Sequence, residues 1–234
     1  MRLLVLLWKL FSYPVGAAIA CLAIYEFWFF AQILNWVEHN PATTRFMDAR
    51  LEALRKKDPK AALEQEWADY EHISIHLKRA IIVAEDAKFI DHEGFDWEGM
   101  QRAMDRNLRR GRVVSGGSTL TQQLAKNLFL SGERSALRKG QEAVLAAMLE
   151  AAMDKHRIFE IYLNVAEWGE NVFGAEAAAR YYFGVSAASL APDQAARLAA
   201  MLPRPRYYDR NRGSPYLASY SESILEQMPA AQVP

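Results

Sequence analysis

The feature that most constrains this chain is its apolar N-terminal segment, where Lys9 and Glu26 are the only charged residues between Leu3 and Val37. A helix needs about 20 mostly apolar residues to cross the hydrocarbon core of a bilayer. Either Leu3 to Tyr25 or Leu10 to Phe30 meets that length, since a lysine can extend its ammonium group to the interface. The sequence therefore predicts one transmembrane helix.

The flanks of this segment predict its orientation. Positive charge precedes it and negative charge follows it, and aromatic residues near its second end resemble an interfacial belt. This places the N-terminus in the cytoplasm and the remaining chain outside, as expected for a single-pass protein of the inner membrane. A cleaved signal peptide is the alternative, but apolar residues continue beyond the small-residue site Ala18-Ile19-Ala20.

Composition narrows the chemistry that the chain can perform. Its 28 basic and 28 acidic residues balance, so the overall charge indicates no nucleic-acid partner. Cys21 is the only cysteine, which excludes an internal disulfide and disfavours thiol catalysis. The five histidines form no His-x-x-x-His pair, so a zinc enzyme is not expected.

Helical periodicity dominates the rest of the sequence, and strand-like alternation is essentially absent. The predicted fold class is all-α. We expect an anchor over residues 1–37, a polar connector over 38–72 and one main domain over 73–234. The predicted helices are Thr44 to Tyr70 apart from Pro59, a helix capped by Ser74, Trp97 to Arg110 ending at Gly111, Leu120 to Leu130 ending at Gly132, Ser135 to about Glu167, Val172 to Tyr182 and Pro192 to Met201, followed by a tail from Pro203.

Glu85 is the first candidate for chemistry. At helical spacing it shares a face with Ile81, Ile82 and Phe89. A carboxylate on an apolar face favours a raised pKa, which suits a general base or acid near neutral pH. The alternative is a carboxylate at a helix end that turns to solvent.

Glu142 repeats this pattern in the long predicted helix, where it aligns with Leu145, Ala146 and Leu149. Two carboxylates on inner helix faces resemble the paired acids of sugar chemistry. The alternative is a buried salt bridge to Arg138 or Lys126. Two other carboxylates of this region fall on more polar arcs and are expected to be solvated: Glu150 and Glu160.

A glycine-containing segment, Ser115 to Gln123, precedes the next predicted helix. Free N–H groups at a helix N-terminus favour an anion such as phosphate, although Gly116-Gly117 also fits a flexible linker. A nucleotide P-loop is rejected because Gly117 occupies the required lysine position and no strand precedes it. Residues 102–139 hold nine basic and two acidic residues, and beside a membrane a lipid phosphate or pyrophosphate is the favoured partner.

Together these segments resemble the family 51 glycosyltransferases, the peptidoglycan polymerases that occur alone or as the first domain of class A penicillin-binding proteins. The resemblance covers about Ile73 to Tyr208 and follows five motifs in order. These are Glu85-Asp86 with Phe89, His92, Gly94 and Asp96; Gly117 to Gln123 with Lys126-Asn127; Arg138-Lys139 with Glu142; Ile158 to Asn164, with Phe159 where leucine is usual; and Asp193 to Ala199, continuing to Pro203 and Pro205.

The resemblance implies a lysozyme-like, two-lobed, all-α domain behind one transmembrane helix. Its members transfer a growing lipid-linked glycan chain onto the 4-hydroxyl of lipid II, with inversion and release of polyprenyl pyrophosphate. By position, Glu85 would be the base and Glu142 the second essential carboxylate. The resemblance places the following residues in the substrate groove: Asp86, Phe89, His92, Ser118, Thr119, Gln122, Gln123, Lys126, Asn127, Arg134 and Arg138.

The resemblance also implies partners and a cofactor. Lys126 and Arg134 fit a clamp on the pyrophosphate, with a divalent cation, Mg²⁺ or Mn²⁺, expected to assist at ligands that the sequence leaves unknown. Lipid II, lipid-linked glycan chains and the bilayer are the expected partners, with other cell-wall synthesis or cell-division proteins as further candidates. No nucleic acid is expected.

Two other functions remain open from the sequence. A lysozyme-like hydrolase or lytic transglycosylase would cut the same polymer, and it would not need Lys126 or Arg134. A catalytically silent membrane scaffold for cell-wall machinery would not need Glu85. A second, transpeptidase domain is not expected, because no Ser-x-x-Lys follows Pro205.

Overall fold

The structure is a computed structural model that describes residues 2–112, 116–130 and 135–234. The chain divides into two compact units, Met1–His39 and Asn40–Pro234. The first unit is a single helix, α1 (Arg2–Glu38), which contains Pro14. Within it an 18-residue window of the span Phe11–Glu38 has a mean hydropathy of 1.8, so its length and composition are compatible with a single-pass membrane anchor.

The second unit is helical over most of its described length, so the all-α prediction is confirmed. Its helices are α2 (Arg45–Arg55), α3 (Ile75–Glu85), α4 (Trp97–Arg110), α5 (Leu120–Phe129), α6 (Ala136–Ala152), α7 (Lys155–Val165), α8 (Ala175–Phe183), α9 (Pro192–Met201), α10 (Pro205–Arg210) and α11 (Pro215–Gln227). Two short strands, β1 (Glu64–Gln65) and β2 (Val172–Phe173), pair in parallel.

Helix α5 lies at the centre of this unit and packs against α2, α6 and α7, while α9 packs between α3 and α11. The apolar residues Leu120 and Leu124 of α5 are fully buried. Tyr162 of α7 and Trp168, in the loop that follows, are also buried. Burial of such large side chains supplies most of the stability of a helical core. The helices that carry the candidate residues therefore rest on a rigid base.

The predicted helix boundaries are correct where capping residues are explicit. Helix α4 ends at Arg110, and Gly111 adopts φ +60, a left-handed conformation that favours glycine. Ser74 caps α3, its Oγ accepting from His76 N at 3.2 Å. Helices α5 and α9 also match their predicted ranges to within one residue, although Gly132 lies outside the described residues.

The prediction of one long helix from Ser135 to Glu167 is wrong, because the chain breaks between α6 and α7. Met153 is extended, with φ −126 and ψ 147. Asp154 then caps α7, its Oδ1 accepting from Arg157 N at 2.7 Å. An aspartate competes well for free N–H groups at a helix start, so this residue can begin a new helix where no Gly or Pro marks a break.

The connector and the tail also differ from the predictions. The predicted helix over Thr44 to Tyr70 stops at Arg55, and Glu64–Gln65 instead forms β1. Residues 172 and 173 form its partner strand, so α8 begins only after Gly174, whose φ is +83. The tail contains α10 and α11, each with a proline in its first turn, where a missing N–H costs nothing.

Candidate active site

Glu85 is the last residue of α3, and its two carboxylate oxygens have different surroundings. Oε2 accepts a hydrogen bond from Gln123 Nε2 at 2.7 Å. Oε1 is buried and has no hydrogen-bond partner within the described ranges. The side chain as a whole is half-buried and borders a cavity of about 260 Å³. One oxygen is thus held by Gln123, and the other is buried without a hydrogen-bond partner among the described residues that would stabilise its charge.

Burial raises the pKa of Glu85 to about 7. The hydrogen bond from Gln123 and the positive charge of Lys126 oppose this shift, whereas the neighbouring Asp86 adds to it. Desolvation is the largest cause, because moving a carboxylate away from water penalises its charged form. A carboxyl group with a pKa near 7 can accept and release a proton at neutral pH.

Asp86 holds two segments together beside Glu85. Its Oδ2 accepts from Leu120 N at 3.0 Å in the first turn of α5. Its carboxylate lies 3.0 and 3.1 Å from His92 Nε2. Asp86 is buried, and a carboxylate is favoured at a helix N-terminus. The hydrogen bonds of Asp86 are thus directed inward. They fix Asp86 itself, and with it the backbone next to Glu85.

Thr119 and Gln122 form the cap at the start of α5. Thr119 Oγ1 accepts from Gln122 N, and Thr119 N donates to Gln122 Oε1 at 3.1 Å, which is a capping box. The Thr119 hydroxyl donates to Gly94 O at 2.7 Å. Gly94 has φ +83 and lies against Glu150, so a side chain there would be strained. Thr119 and Gln122 are buried and support the loop below Glu85.

Three polar residues of α5, Gln123, Lys126 and Asn127, line a second and larger cavity of about 570 Å³. Their spacing places them on one side of the helix. Burial lowers the pKa of Lys126, while the negative charges of Glu142 and Glu85 oppose the shift. Gln123 also accepts from the Tyr162 hydroxyl at 3.3 Å, so it lies between Glu85 and this cavity.

This larger cavity is strongly basic, and we call it the basic cavity. Glu167 is the one carboxylate among its described lining residues. The cations are Arg50, Lys126, Arg204, Arg206 and Arg210. Clustered guanidinium and ammonium groups favour an anion, and a diphosphate carries enough charge to engage several of them.

Two residues of the basic cavity, Arg50 and Glu167, were not identified from the sequence. Arg50 Nε lies 3.0 Å from Glu167 Oε1, and its Nη2 donates to Oε2 at 3.3 Å. Arg206 Nε approaches the same carboxylate at 3.8 Å. Nothing in the sequence joins Arg50 to a glutamate 117 positions later. The contact arises because α2, which carries Arg50, and α7, which Glu167 follows, both pack on α5.

Glu142 lies on the inner side of α6 and is buried in an ion-pair cluster. Arg138 Nη1 donates to its Oε2 at 3.0 Å, and the Lys139 ammonium group contacts Oε1. Lys139 also donates to Ser118 Oγ at 3.0 Å. The buried salt bridge to Arg138, one of the two alternatives from the sequence, is therefore present. Glu142 holds two cations beside the glycine segment that precedes α5.

The predicted solvation of Glu150 and Glu160 is wrong. Glu150 Oε1 accepts from Thr121 Oγ1 at 2.5 Å and from Lys155 Nζ at 2.7 Å. Glu160 accepts from Tyr70 N at 3.0 Å and pairs with Arg157. Both carboxylates face neighbouring helices or loops, so they contribute to packing between segments.

Two predicted groove residues remain, Phe89 and Arg134. Phe89 is fully buried, with its ring centroid 5.7 Å from that of Phe159, so it packs beneath the site. Arg134 lies outside the described residues. Within the described ranges no three His, Cys, Asp or Glu side chains form a metal-binding group. These residues do not form a protein cage for a divalent cation.

Comparison with known proteins places this arrangement in a family. A family model described as "Transglycosylase" matches residues 52–229. A biosynthetic peptidoglycan transglycosylase of Nitrosospira multiformis is 56% identical over 227 residues, covering 97% of each chain. One of Dechloromonas aromatica is 60% identical over 211 residues, covering 90% of this chain and 91% of the relative. The chain belongs to the transglycosylase family.

Proposed function

We propose that this chain is a peptidoglycan glycosyltransferase that polymerises glycan chains from lipid-linked disaccharide–peptide, lipid II. The observation that carries the proposal is the pairing of Glu85 with the basic cavity through Gln123. Glu85 lies on one side of Gln123 and the basic cavity on the other. A base next to an anion-binding cluster suits a reaction that deprotonates a hydroxyl and expels a diphosphate.

In the proposed reaction, the Glu85 carboxylate accepts the proton of the acceptor's 4-hydroxyl. The acceptor oxygen forms a bond to the anomeric carbon of the donor, and the bond from that carbon to the diphosphate oxygen breaks. The electron pair leaves with the polyprenyl diphosphate. Attack opposite the leaving group inverts the anomeric centre.

Lys126 and the arginines of the basic cavity would stabilise the negative charge that develops on the departing diphosphate. Preorganised cations are effective at this task, because they need not reorient during the reaction. A divalent cation bound mainly by the diphosphate would need few protein ligands, as is common for Mg²⁺. Arg138 and Ser118, joined through Glu142 and Lys139, are proposed to contact substrate from the other side of Glu85.

Helix α1 is proposed to anchor the chain in the inner membrane, with its N-terminus in the cytoplasm and residues 40–234 outside. Basic residues at its start and acidic residues near its end support this orientation. Lipid-linked substrates remain in the bilayer, so an anchored enzyme meets them at its surface. Other cell-wall synthesis proteins remain proposed partners.

The test is polymerisation by the full-length chain in detergent or nanodiscs, supplied with lipid II. We expect long glycan chains and released polyprenyl diphosphate. Glu85→Gln should abolish both, whereas Glu226→Gln, at an exposed position, should not. Breakdown of preformed peptidoglycan without polymerisation would instead identify a hydrolase, and full function of Glu85→Gln would identify a scaffold.

A further inference from the structure

Four tyrosines on α10 and α11 form a continuous row, which we call the tyrosine row: Tyr207, Tyr208, Tyr216 and Tyr220. Neighbouring ring centroids are 5.2, 6.5 and 5.9 Å apart along this order. The rings of Tyr208 and Tyr216 are nearly parallel, at 10°. Aromatic pairs at these separations attract one another, so each ring helps to hold the next.

Both ends of the tyrosine row meet the candidate active site. The Tyr220 hydroxyl donates to Ala84 O at 3.3 Å, one residue before the proposed base. Burial, and to a smaller extent the negative charge of Glu85, raises the pKa of Tyr220 to about 12. At the other end Tyr207 lines the basic cavity together with Gln123 and Lys126.

The row combines buried and exposed rings. Tyr208 is buried, whereas Tyr207 is 49% exposed and Tyr216 is 63% exposed. Helix α11 already packs through the buried residues Leu217 and Ile224. The exposed rings are therefore not needed to hold this helix in place.

We propose that the tyrosine row binds the saccharide chain of the growing polymer, an inference that rests on the proposed function. The C–H groups on one face of a pyranose ring stack against the electron-rich face of an aromatic ring. Tyrosine hydroxyls add hydrogen bonds to sugar hydroxyls. The exposed rings of Tyr207 and Tyr216, held by the buried Tyr208 between them, give the sugars of the chain a surface to stack on.

Tyrosines are also common at membrane–water interfaces, where their hydroxyls meet lipid headgroups. Such a role requires only that the rings be exposed. It does not account for the contacts that join one end of the row to Ala84 and place the other in the basic cavity. These contacts make a polymer that leaves the reaction site a better ligand for the row than a lipid headgroup.

The test compares glycan chain lengths made by full-length Tyr207→Ala, Tyr216→Ala and the double variant. Loss of one aromatic contact should weaken binding of a soluble β-1,4-linked glycan fragment by about fivefold, measured by calorimetry or NMR titration. Product chains should shorten in each variant. In Tyr216→Ala, whose ring lies outside the lining of the basic cavity, the rate of the first coupling between two lipid II molecules should change little. Tyr216→Trp should retain chain length, because it keeps an aromatic face.

Tyr181→Ala is the matched control, since Tyr181 is an exposed tyrosine outside the row. Unchanged chain length and fragment binding in the double variant would overturn the inference while leaving the proposed function intact. Loss of binding to phosphatidylglycerol vesicles with unchanged fragment binding would assign the row to the membrane and also overturn it. If the wild-type chain makes no polymer at all, the proposed function itself fails.

Discussion

Gln123 Nε2 donates to Glu85 Oε2 at 2.7 Å and joins the end of α3 to the middle of α5. The bond restricts one carboxylate oxygen and leaves the other, buried, without a partner among the described residues. It also favours the ionised carboxylate and opposes the effect of burial on the pKa. Gln123 therefore orients the proposed base and lowers the pH at which it ionises.

The first prediction concerns the pH dependence of polymerisation. A base must be ionised, so the rate should rise with pH through the Glu85 pKa of about 7. Gln123→Ala removes a hydrogen bond that lowers this pKa. The acidic limb of the rate profile should therefore move upward, by about 0.5 to 1 pH unit. Gln227→Ala, at an exposed position on α11, is the control and should leave the profile unchanged. A downward or absent shift in Gln123→Ala would contradict this role.

The second prediction is that Glu85→Gln stabilises the fold at neutral and alkaline pH. The folded-state pKa of about 7 lies above the ordinary 4.5, so the folded chain holds a proton that the unfolded chain releases. Stability contributed by this carboxyl is therefore lost as pH rises from about 4.5 through 7. The full difference corresponds to roughly 3 kcal/mol, and the partial exposure of the side chain reduces the expected gain to about 1–2 kcal/mol.

Urea unfolding of the full-length chain at pH 5 and pH 8 measures this gain. The Glu85→Gln variant should exceed wild type at pH 8, and the difference should shrink at pH 5. A variant that is less stable than wild type at pH 8 would show that the ionised carboxylate supports the fold.

The third prediction concerns the ion pair between Arg50 and Glu167. Arg50→Ala leaves a buried carboxylate whose remaining close cation is Arg206, at 3.8 Å. We expect a loss of about 1–3 kcal/mol of unfolding free energy. Burial already raises the pKa of Glu167 and Arg50 opposes that shift, so the loss should diminish as pH falls and the carboxyl becomes protonated.

The matched control is Lys56→Ala, which breaks the exposed pair with Glu52 and should leave the unfolding free energy nearly unchanged, because solvent screens that pair. Combining Arg50→Ala with Glu167→Gln should recover part of the loss, because no buried charge is then left unpaired. If the double variant loses more unfolding free energy than the two single variants together, the carboxylate has another essential partner.

The fourth prediction concerns Lys126 in the basic cavity. Lys126→Gln removes a cation from the proposed leaving-group site, and kcat/KM for lipid II should fall by about 100-fold. Lys126→Arg keeps the charge and should lose less. Lys126→Gln should also move the acidic limb of the rate profile to higher pH, since Lys126 lowers the pKa of Glu85. Lys60→Gln, at an exposed lysine, is the control. Equal rates for Lys126→Gln and wild type would remove this residue from the reaction.

Local signals were sufficient for much of the helical fold. Gly111 ends α4 because a left-handed residue closes that helix, and Ser74 begins α3 because its hydroxyl caps a free N–H. The break at Met153 was missed, since a single Asp154 cap between two apolar helices resembles a polar residue within one helix. Strand β1 was missed because two residues carry no periodicity and are defined only by their partner strand.

For the candidate site, the sequence placed Glu85 on an apolar face but left open whether the carboxylate turns to solvent. Its partner could not be read from the sequence, because Gln123 lies 38 residues further along the chain, beyond α4, and meets Glu85 only in the tertiary structure. The role of Glu142 was likewise open, and the structure pairs it with Arg138 and Lys139.

The sequence alone determined the apolar N-terminal helix, the all-α class and the series of motifs that indicates the transglycosylase family. These features depend on hydropathy, capping residues and spacing, which act over a few residues. Only the tertiary structure decided that Gln123 holds Glu85, that Arg50 pairs with Glu167 and that four tyrosines line up between Ala84 and the basic cavity. Such contacts depend on helix packing, which brings together residues distant in the chain and determines which charges lose water and which find a partner.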